Sequence, residues 1–306
     1  MTRKADQISA TALEKLSPSL VPELKTYFDR HRVELAAMLG RRETAGMMLA
    51  RRHAKVMDGV LTSLFPAAYT LVKRRWRTPV VALAAVGGYG RGVVGLHSDI
   101  DVRLVSPEPP EKMRAMAEAL LYPLWDAGVT IGHQVTSVSD VASSARTDLP
   151  TATVLLDFRH VAGDPSLAQT IRDRANAGIF GDGELGAFMS RLDEEVADRH
   201  ARFGGSVYLL EPDVKNGAGG LRDLDVALWA AKARWRVSDF EDLVRVGVLV
   251  SRQLHEIVAA REFLWAVRNH MHASARRRSD RLSRSEEHTS ELQSLTNIVC
   301  RLLLEK

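Results

Sequence analysis

The sequence predicts an α+β protein, in which a small mixed sheet with flanking helices is followed by an all-helical domain. Three short apolar runs with strand character, at 79–86, 100–105 and 129–138, cluster in the first half of the chain. Before them, from about residue 9 to residue 76, and again from residue 182 onward, apolar residues recur at the three- and four-residue spacing of helices.

Turn residues and spacing delimit the elements in order. The first run is rich in valine and ends at Gly87-Gly88, which indicates a buried strand, and the second run follows soon after. The segment 111–125 predicts a helix, and Gly128 separates it from the third strand. The apolar segment 153–161 fits a helix or a strand, and we favour a helix.

Composition narrows the class of protein. The 306 residues are enough for about two domains, and 45% hydrophobic with 26% charged residues is normal for a soluble globular chain. Cys300 is the only cysteine, which excludes a disulfide framework and a cysteine-rich metal site. No segment resembles a signal peptide or reaches the ~18 apolar residues of a membrane span. The net charge of +4 is mild and the arginines are scattered, so we expect a cytoplasmic protein with neither nucleic acid nor a membrane as partner.

Two aspartates stand one residue apart in the second apolar run. At positions i and i+2 of a strand, the carboxylates of Asp99 and Asp101 point to the same face. Carboxylates so close repel each other unless a cation lies between them. Mg²⁺ (or Mn²⁺) suits hard oxygen ligands and usually arrives with the phosphates of a nucleotide. We therefore predict that Asp99 and Asp101 are catalytic residues and metal ligands in a nucleotide site.

The turn before the aspartates has the composition of a phosphate-binding loop. Gly87 and Gly88 lack Cβ atoms, so their backbone N–H groups can approach a phosphate closely. Arg91 can clamp a phosphate by a bidentate contact, while Ser98 either hydrogen-bonds a phosphate or shapes the turn. Each motif is common alone, but the glycines and the aspartates together, with an arginine between them and strands on both sides, are much more specific.

The combined pattern resembles the polymerase-β-like nucleotidyltransferases, and the longer match GGYGRG…HSDID is similar to the uridylyltransferases that modify the PII nitrogen-signalling protein. Two further segments resemble that family, YLLEPDVKNGAGGLRDLDVALWAAKARW at 208–235 and FLWAVRNHMHASARRRSDRL at 263–282. The resemblance implies transfer of UMP from UTP to a tyrosine of PII, with release of pyrophosphate. Lys215 and Arg222 in the second segment either reach over the nucleotide's phosphates or are solvated charges of a glycine-rich loop.

The chain departs from the family pattern near the aspartates. Arg103 lies on the same strand face as the pair, where the family is apolar, and Thr136 replaces an arginine. Arg103 could pair with a carboxylate, contact a phosphate or repel a metal ion. Many superfamily members carry a third carboxylate on the strand where His133 and Gln134 stand here. Asp157 is a candidate third metal ligand, and a capping or solvent-facing role is the alternative.

The resemblance divides the chain into four parts. These are an N-terminal helical segment at 1–70, a nucleotidyltransferase domain at 71–165, a helical uridylyltransferase-associated domain at 166–282 and a tail at 283–306. We expect the tail to be non-native, because 284–306 closely resembles the translation of a sequencing-adapter read-through; a genuine amphipathic helix is the alternative. We also expect truncation before the family's HD domain, which removes the uridylyl group, and its glutamine-sensing ACT domains. In agreement, none of the ten histidines precedes an aspartate.

Two other functions stay open at this level. One is a nucleotidyltransferase with another acceptor, such as a glutamine synthetase adenylyltransferase, although the segment 211–223 argues against it. The other is a catalytically weak nucleotide-binding regulatory module, which Arg103 and the missing third carboxylate would explain. His270 and His272 stand two apart on a predicted helix and face different ways, so we do not predict that they bind a metal together.

Overall fold

A computed structural model describes residues 20–73, 80–205 and 209–283. The predictions made for residues 1–19, for the start of the first apolar run and for the tail at 284–306, Cys300 included, lie outside the described residues. Within the described part of the chain, no helix is both long and apolar enough to span a membrane.

Helices precede, flank and follow one four-stranded sheet, which confirms the predicted α+β class. The strands are β1 (Ala82–Ala85), β2 (Ile100–Ser106), β3 (Ile131–Ser137) and β4 (Arg159–Gly163). The helices are α1 (Leu20–Leu39), α2 (Met47–Lys73), α3 (Gly87–Gly90), α4 (Arg114–Asp126), α5 (Val138–Ser144), α6 (Leu149–Leu156), α7 (Pro165–Gly178), α8 (Asp182–Arg202), α9 (Leu221–Trp235), α10 (Phe240–Arg245) and α11 (Ser251–Ala275). A 3-10 turn at Pro110–Met113 leads into α4.

The sheet is mixed, with the strand order β3-β2-β1-β4. β1 runs antiparallel to both β2 and β4, whereas β2 and β3 are parallel and are connected through α4. In this register Gly132 of β3 lies opposite Asp101, and Gln134 lies opposite Arg103. The polar side chains of Arg103 and Gln134 are therefore neighbours, and a glycine stands beside Asp101.

The two faces of the sheet bury different cores. Ile100, Val102 and Leu104 of β2 belong to a core shared with α1, α2 and α4. Val105 belongs to a second core on the other face, shared with α5 to α9. Because side chains alternate along a strand, the side chain of Asp101 points to the same face of the sheet as that of Val105. The aspartate therefore faces the side on which the helical second half of the chain packs.

The segment 153–161, which we predicted as one helix, is divided between a helix and a strand. α6 ends at Leu156, and β4 begins at Arg159 and pairs with β1 through Ala82–Gly163 and Ala84–His160. The cause is tertiary, because β1 offers backbone N–H and C=O groups on the side away from β2 and β4 satisfies them. Helical spacing within the segment carries no information about that distant partner.

The N-terminal helices contact the far end of the described chain. The Glu262 carboxylate in α11 accepts hydrogen bonds from the Met47 N–H at 3.0 and 3.1 Å, where a negative charge favours the start of α2. The Asn269 side chain donates to the carbonyls of Ala45 and Gly46 at 2.8 and 3.2 Å. α11 is thereby fixed beside α2. The domain boundaries at 70, 165 and 282 stay predictions.

Candidate active site

The turn after β1 begins with glycine for a steric reason. α3 is a single helical turn, and Gly87 has a φ of +58°, which side-chain-bearing residues rarely adopt. A Cβ on Gly90 would run into the backbone carbonyl of Asp157. Between them, buried Tyr89 donates its hydroxyl to Asp58 at 2.6 Å. The predicted glycine loop is therefore a short helical turn that is anchored from the core.

The structure brings Asp99 and Asp101 together at the start of β2. The Asp101 carbonyl accepts the Val86 N–H at 3.1 Å, which ties the aspartates to the end of β1. Burial and the charge of Asp99 raise the pKa of Asp101, while the cations Lys215 and Arg278 oppose this rise. A cation held between the two carboxylates would relieve their repulsion.

Glycines leave space around the Asp101 carboxylate. A Cβ on Gly132, the residue opposite in β3, would lie 2.5 Å from Asp101 Oδ1, and a Cβ on Gly87 would lie 3.7 Å from Oδ2. The first distance is too short for any real contact, so the carboxylate occupies the volume that a side chain on β3 would fill.

Replacing Gly132 with alanine is expected to push the Asp101 carboxylate aside and reduce nucleotidyl transfer. A misplacement of about 1 Å at a reacting site can cost about 100-fold in rate, so we expect a loss of that order in kcat. Gly59→Ala is the matched control, since a Cβ there meets nothing within 4 Å. Full activity of Gly132→Ala in a steady-state transfer assay would contradict the placement of Asp101.

The loop between α8 and α9 carries Lys215 to the aspartates. Asp213 shapes it, because Oδ1 accepts the N–H groups of Lys215 and Asn216 at 2.9 and 2.6 Å. Lys215 is close enough to Asp101 to lower the pKa of that carboxyl. Burial, with the charge of Arg268 next, lowers the pKa of Lys215 itself to about 8. Lys215 is thus a half-buried cation beside the carboxylate pair.

Arg222 stands at the start of α9, behind Lys215. Its Nη1 lies 3.5 Å from Asp225, and its guanidinium lies over the Trp229 ring at 5.2 Å from the ring centre. Its charge is among those that lower the pKa of Lys215. The structure therefore brings Arg222 near the predicted site but gives it an acidic partner within α9.

Arg91 and Asp157 belong to a buried ion-pair network. The Arg91 guanidinium contacts Asp157 and lies 2.8 Å from Asp225. The Asp157 side chain is fully buried and also accepts from Trp229 Nε1 at 2.8 Å and from Lys232 Nζ at 3.0 Å. These contacts connect the glycine turn, the end of α6 and α9.

This network gives protein partners to Asp157, which we predicted as a third metal ligand. Its two oxygens are already shared among three donors from Arg91, Trp229 and Lys232. Among the described residues, no group of three or more His, Cys, Asp and Glu side chains is placed to hold a metal ion. Asp157 is therefore engaged by protein donors, and its role as a third metal ligand stays a prediction; Arg91 is held by carboxylates in the position where we predicted a phosphate clamp.

Ser98 closes the turn that leads to the aspartates. Its backbone N–H donates to the Gly95 carbonyl at 3.0 Å within this turn. Its hydroxyl is buried and has no hydrogen-bond partner within the described ranges. Contact of this hydroxyl with a phosphate stays a prediction.

Arg103 is buried on β2, away from solvent. Its side chain is bonded to the Gln134 amide oxygen, and only 5% of the residue is exposed. Nε and Nη1 are buried without a hydrogen-bond partner in the described part of the chain. The residue borders a polar cavity of about 390 Å³ that Thr136, Thr147 and Asp148 also line. Burial lowers the pKa of Arg103, so the guanidinium is held at an electrostatic cost.

Replacing Arg103 with methionine is expected to stabilise the protein. An unsatisfied buried donor costs about 1–3 kcal/mol, and apolar replacement of buried charges often stabilises by about 1–4 kcal/mol. We therefore expect the free energy of unfolding in urea to rise by about 1–3 kcal/mol. Arg114→Met, at an exposed site on α4, should stay within about 0.5 kcal/mol of wild type. A less stable Arg103→Met would mean that the guanidinium makes favourable contacts in solution.

Four residues outside the predicted set lie at or beside the site. Arg278 Nη1 lies 3.4 Å from Asp99 Oδ2, and Asp280 contacts Arg278, Arg268 and His272. The signal that could have found Arg278 and Asp280 is an aspartate inside the basic run Arg276-Arg277-Arg278-Ser279-Asp280-Arg281, directly after a helix. Isolated acids in basic runs often organise the surrounding cations.

Two regions of the chain match known families. Residues 70–138, which contain β1 to β3, the glycine turn and both aspartates, match the nucleotidyltransferase domain family. Residues 187–298, which contain Lys215, Arg222 and α11, match the GlnD PII-uridylyltransferase family. This second match continues past Leu282, where we expected the resemblance to stop, and the non-native origin of the tail stays a prediction.

Curated relatives align with most of the chain. A bifunctional uridylyltransferase/uridylyl-removing enzyme of Novosphingobium aromaticivorans is 37% identical over 289 residues, covering 91% of this chain and 31% of the relative. Proteins of the same name from Azospirillum brasilense and Rhodopseudomonas palustris are both 34% identical, covering 88% and 85% of this chain. The chain belongs to the PII-uridylyltransferase family. It spans about three tenths of the length of these relatives.

Membership of the PII-uridylyltransferase family confirms the predicted class, an enzyme of the nucleotidyltransferase type. The two matched regions of the chain meet at the candidate site. The first supplies the carboxylates Asp99 and Asp101, and the second supplies Lys215 and Arg278. Opposite charges from the sheet and from the helical region are thus assembled around one point.

Proposed function

We propose that this chain transfers UMP from UTP to a tyrosine of PII and releases pyrophosphate in a metal-dependent reaction. The observation that carries the proposal is the meeting of Asp99 and Asp101 with Lys215 at the start of β2. Paired carboxylates that stand beside a half-buried cation suit a divalent metal and a polyphosphate together. The names of the relatives support uridylyl transfer, and the name of the matched family supports PII as the acceptor.

Mg²⁺, or Mn²⁺, fits the aspartate pair. Mg²⁺ is usually held by one or two protein carboxylates together with waters and substrate phosphates, so a third carboxylate is not required. Gly132 and Gly87 leave space beside Asp101, and the raised pKa of Asp101 reflects burial and a charge repulsion that a divalent cation would offset. When bound, the metal would neutralise charge on the α-phosphate and on the departing pyrophosphate.

The chain's own residues would bind and orient the nucleotide. Gly87 and Gly88 allow the backbone to approach a phosphate, and Lys215 supplies a positive charge from the opposite side. Arg222 and the Ser98 hydroxyl are further candidates for phosphate contact. Arg91 would act indirectly, because its ion pairs fix the glycine turn against α9.

The transfer itself breaks the bond between the α- and β-phosphates of UTP and forms a bond between the α-phosphorus and the tyrosine oxygen. The tyrosine proton leaves to solvent or base, and pyrophosphate departs. Reactions of this type depend mostly on positioning and on stabilisation of charge, which the carboxylates, the lysine and the rigid turn are suited to provide.

Incubation with α-labelled UTP, purified PII and Mg²⁺ or Mn²⁺ tests the proposal. We expect label on PII that depends on the metal and that disappears when the acceptor tyrosine is changed to phenylalanine. A parallel reaction with labelled ATP should give no label. Labelling from ATP would favour the adenylyltransferase alternative, and binding of UTP without transfer would favour the regulatory module; either result would overturn the proposed function.

A further inference from the structure

Two histidines from different helices contact the segment that leads into Asp99. Nδ1 of His53, in α2, lies 3.2 Å from the carbonyl oxygen of Gly95. Nδ1 of His272, in α11, lies 3.2 Å from the backbone nitrogen of His97. The segment 95–98 therefore has a side-chain contact on each side, two and four residues before the first aspartate.

The partners of His272 determine its tautomer. A backbone N–H can only donate, so Nδ1, which faces the His97 N–H, must carry a lone pair. Nε2 lies 3.2 Å from Asp280 Oδ1, an acceptor, and must therefore carry the proton. His272 is fully buried, and burial lowers its pKa, as do Arg268 and Arg278 against the opposing effect of Asp280. The ring is thus neutral and protonated at Nε2.

Asp280 connects this histidine to the rest of the site. Although burial opposes ionisation, hydrogen bonds from His272 and Arg268 hold the pKa of Asp280 well below its usual range. Arg268 Nε donates to Oδ1 at 2.7 Å, and Arg278, which also approaches Asp99, lies 3.4 Å from Oδ2. The Asp280 carbonyl accepts the N–H of Val214, the residue before Lys215, at 2.8 Å.

The segment 95–98 packs closely against His272 and Arg268. A Cβ on Gly95 would lie 2.7 Å from Ser98 Oγ, 3.0 Å from Arg268 Nη1 and 3.3 Å from His272 Cε1. The segment 95–98 therefore passes the histidine ring and the arginine guanidinium with no room for a side chain at Gly95.

We propose that His272, held by Asp280 in the tautomer protonated at Nε2, is a positioning residue that fixes the segment 95–98 and thereby sets Asp99 relative to Asp101. The role of this residue in transfer rests on the proposed function of the aspartate site. The tautomer of His272 and its contact with the segment 95–98 do not rest on that function, because they follow from the hydrogen bonds alone.

The tautomer is tested without any activity measurement. Long-range ¹H–¹⁵N spectra of histidine-labelled protein should show His272 with an unprotonated Nδ1 and a protonated Nε2 at neutral pH. In Asp280→Asn, the amide oxygen can replace Oδ1, which accepts from both Arg268 and His272, so the tautomer should be kept. In Asp280→Leu, the Nε2 proton loses its acceptor and the ring is no longer held, so the His97 amide should exchange with solvent about tenfold faster or more. An Nδ1–H tautomer in the wild-type protein would overturn the proposal.

A matched pair of substitutions tests positioning. His272→Asn places an amide oxygen near the position of Nδ1 and can still accept from His97. His272→Gln reaches the position of Nε2 and Asp280 but leaves the His97 N–H without an acceptor. We expect kcat for transfer to fall about tenfold or more in the glutamine variant, with little change in the KM for UTP, and to fall less in the asparagine variant.

A control substitution for His272 is available on the same helix. His255→Gln, at an exposed position of α11, should leave kcat and His97 amide exchange unchanged. Equal losses in His272→Asn and His272→Gln, in proportion to lost thermal stability, would mean a structural role only and would overturn the proposal. If the wild-type protein shows no transfer at all, the proposed function fails, while the spectra and the exchange measurement still decide the role of His272.

Discussion

Asp101→Asn is expected to abolish nucleotidyl transfer while leaving the protein folded and at least as stable as wild type. The substitution removes a ligand charge with almost no change in volume, and loss of one electrostatic contact to a transition state typically costs about 10²–10³-fold in kcat. Stability should not fall, because burial and the charge of Asp99 raise the pKa of Asp101. A raised carboxyl pKa means that the ionised form destabilises the fold at neutral pH, so removing the charge removes that cost.

The measurement is transfer of labelled UMP together with thermal melting of the same preparation. Asp99→Asn should lose transfer as Asp101→Asn does. Asp126→Asn, at the exposed end of α4, should match the wild type in both transfer and thermal melting. Wild-type transfer by either of the first two variants would contradict the assignment of the aspartate pair.

Asp157→Asn is expected to give the opposite pattern, a large loss of stability. The carboxylate is fully buried and neutralises Arg91 and Lys232, so the neutral amide would leave buried cations uncompensated. Breaking a buried ion pair by removing one partner costs about 3–5 kcal/mol. Urea unfolding at constant m-value should report a loss of that size, with Asp126→Asn as the surface control. Unchanged stability together with weaker metal binding would support Asp157 as a metal ligand.

The strands of the sheet and the proximity of Asp99 and Asp101 could be predicted because their signals are local. Alternation of apolar residues marks β2, and the spacing of Asp99 and Asp101 places both carboxylates on one face without knowledge of the rest of the chain. The same holds for the class of the sheet, since the order of the elements along the chain restricts how they can pair.

The parts that sequence reasoning missed depend on partners far away in the chain. Asp157 looked available for a metal because its partners Arg91, Trp229 and Lys232 come from a distant turn and from α9. β4 looked helical because only its pairing with β1 makes it a strand. His272 looked unremarkable beside His270, since nothing in the local sequence reveals that its ring meets the backbone of His97.

A crystal structure with a non-hydrolysable UTP analogue and Mg²⁺ tests the central claim most directly, namely that Asp99, Asp101 and Lys215 form one metal and nucleotide site. We predict a metal ion between the Asp99 and Asp101 carboxylates, with Arg278 displaced from Asp99, and phosphate oxygens within hydrogen-bond distance of Lys215 Nζ. Binding of the analogue elsewhere, for example in the polar cavity beside Arg103, with no metal at the aspartates, would contradict the account.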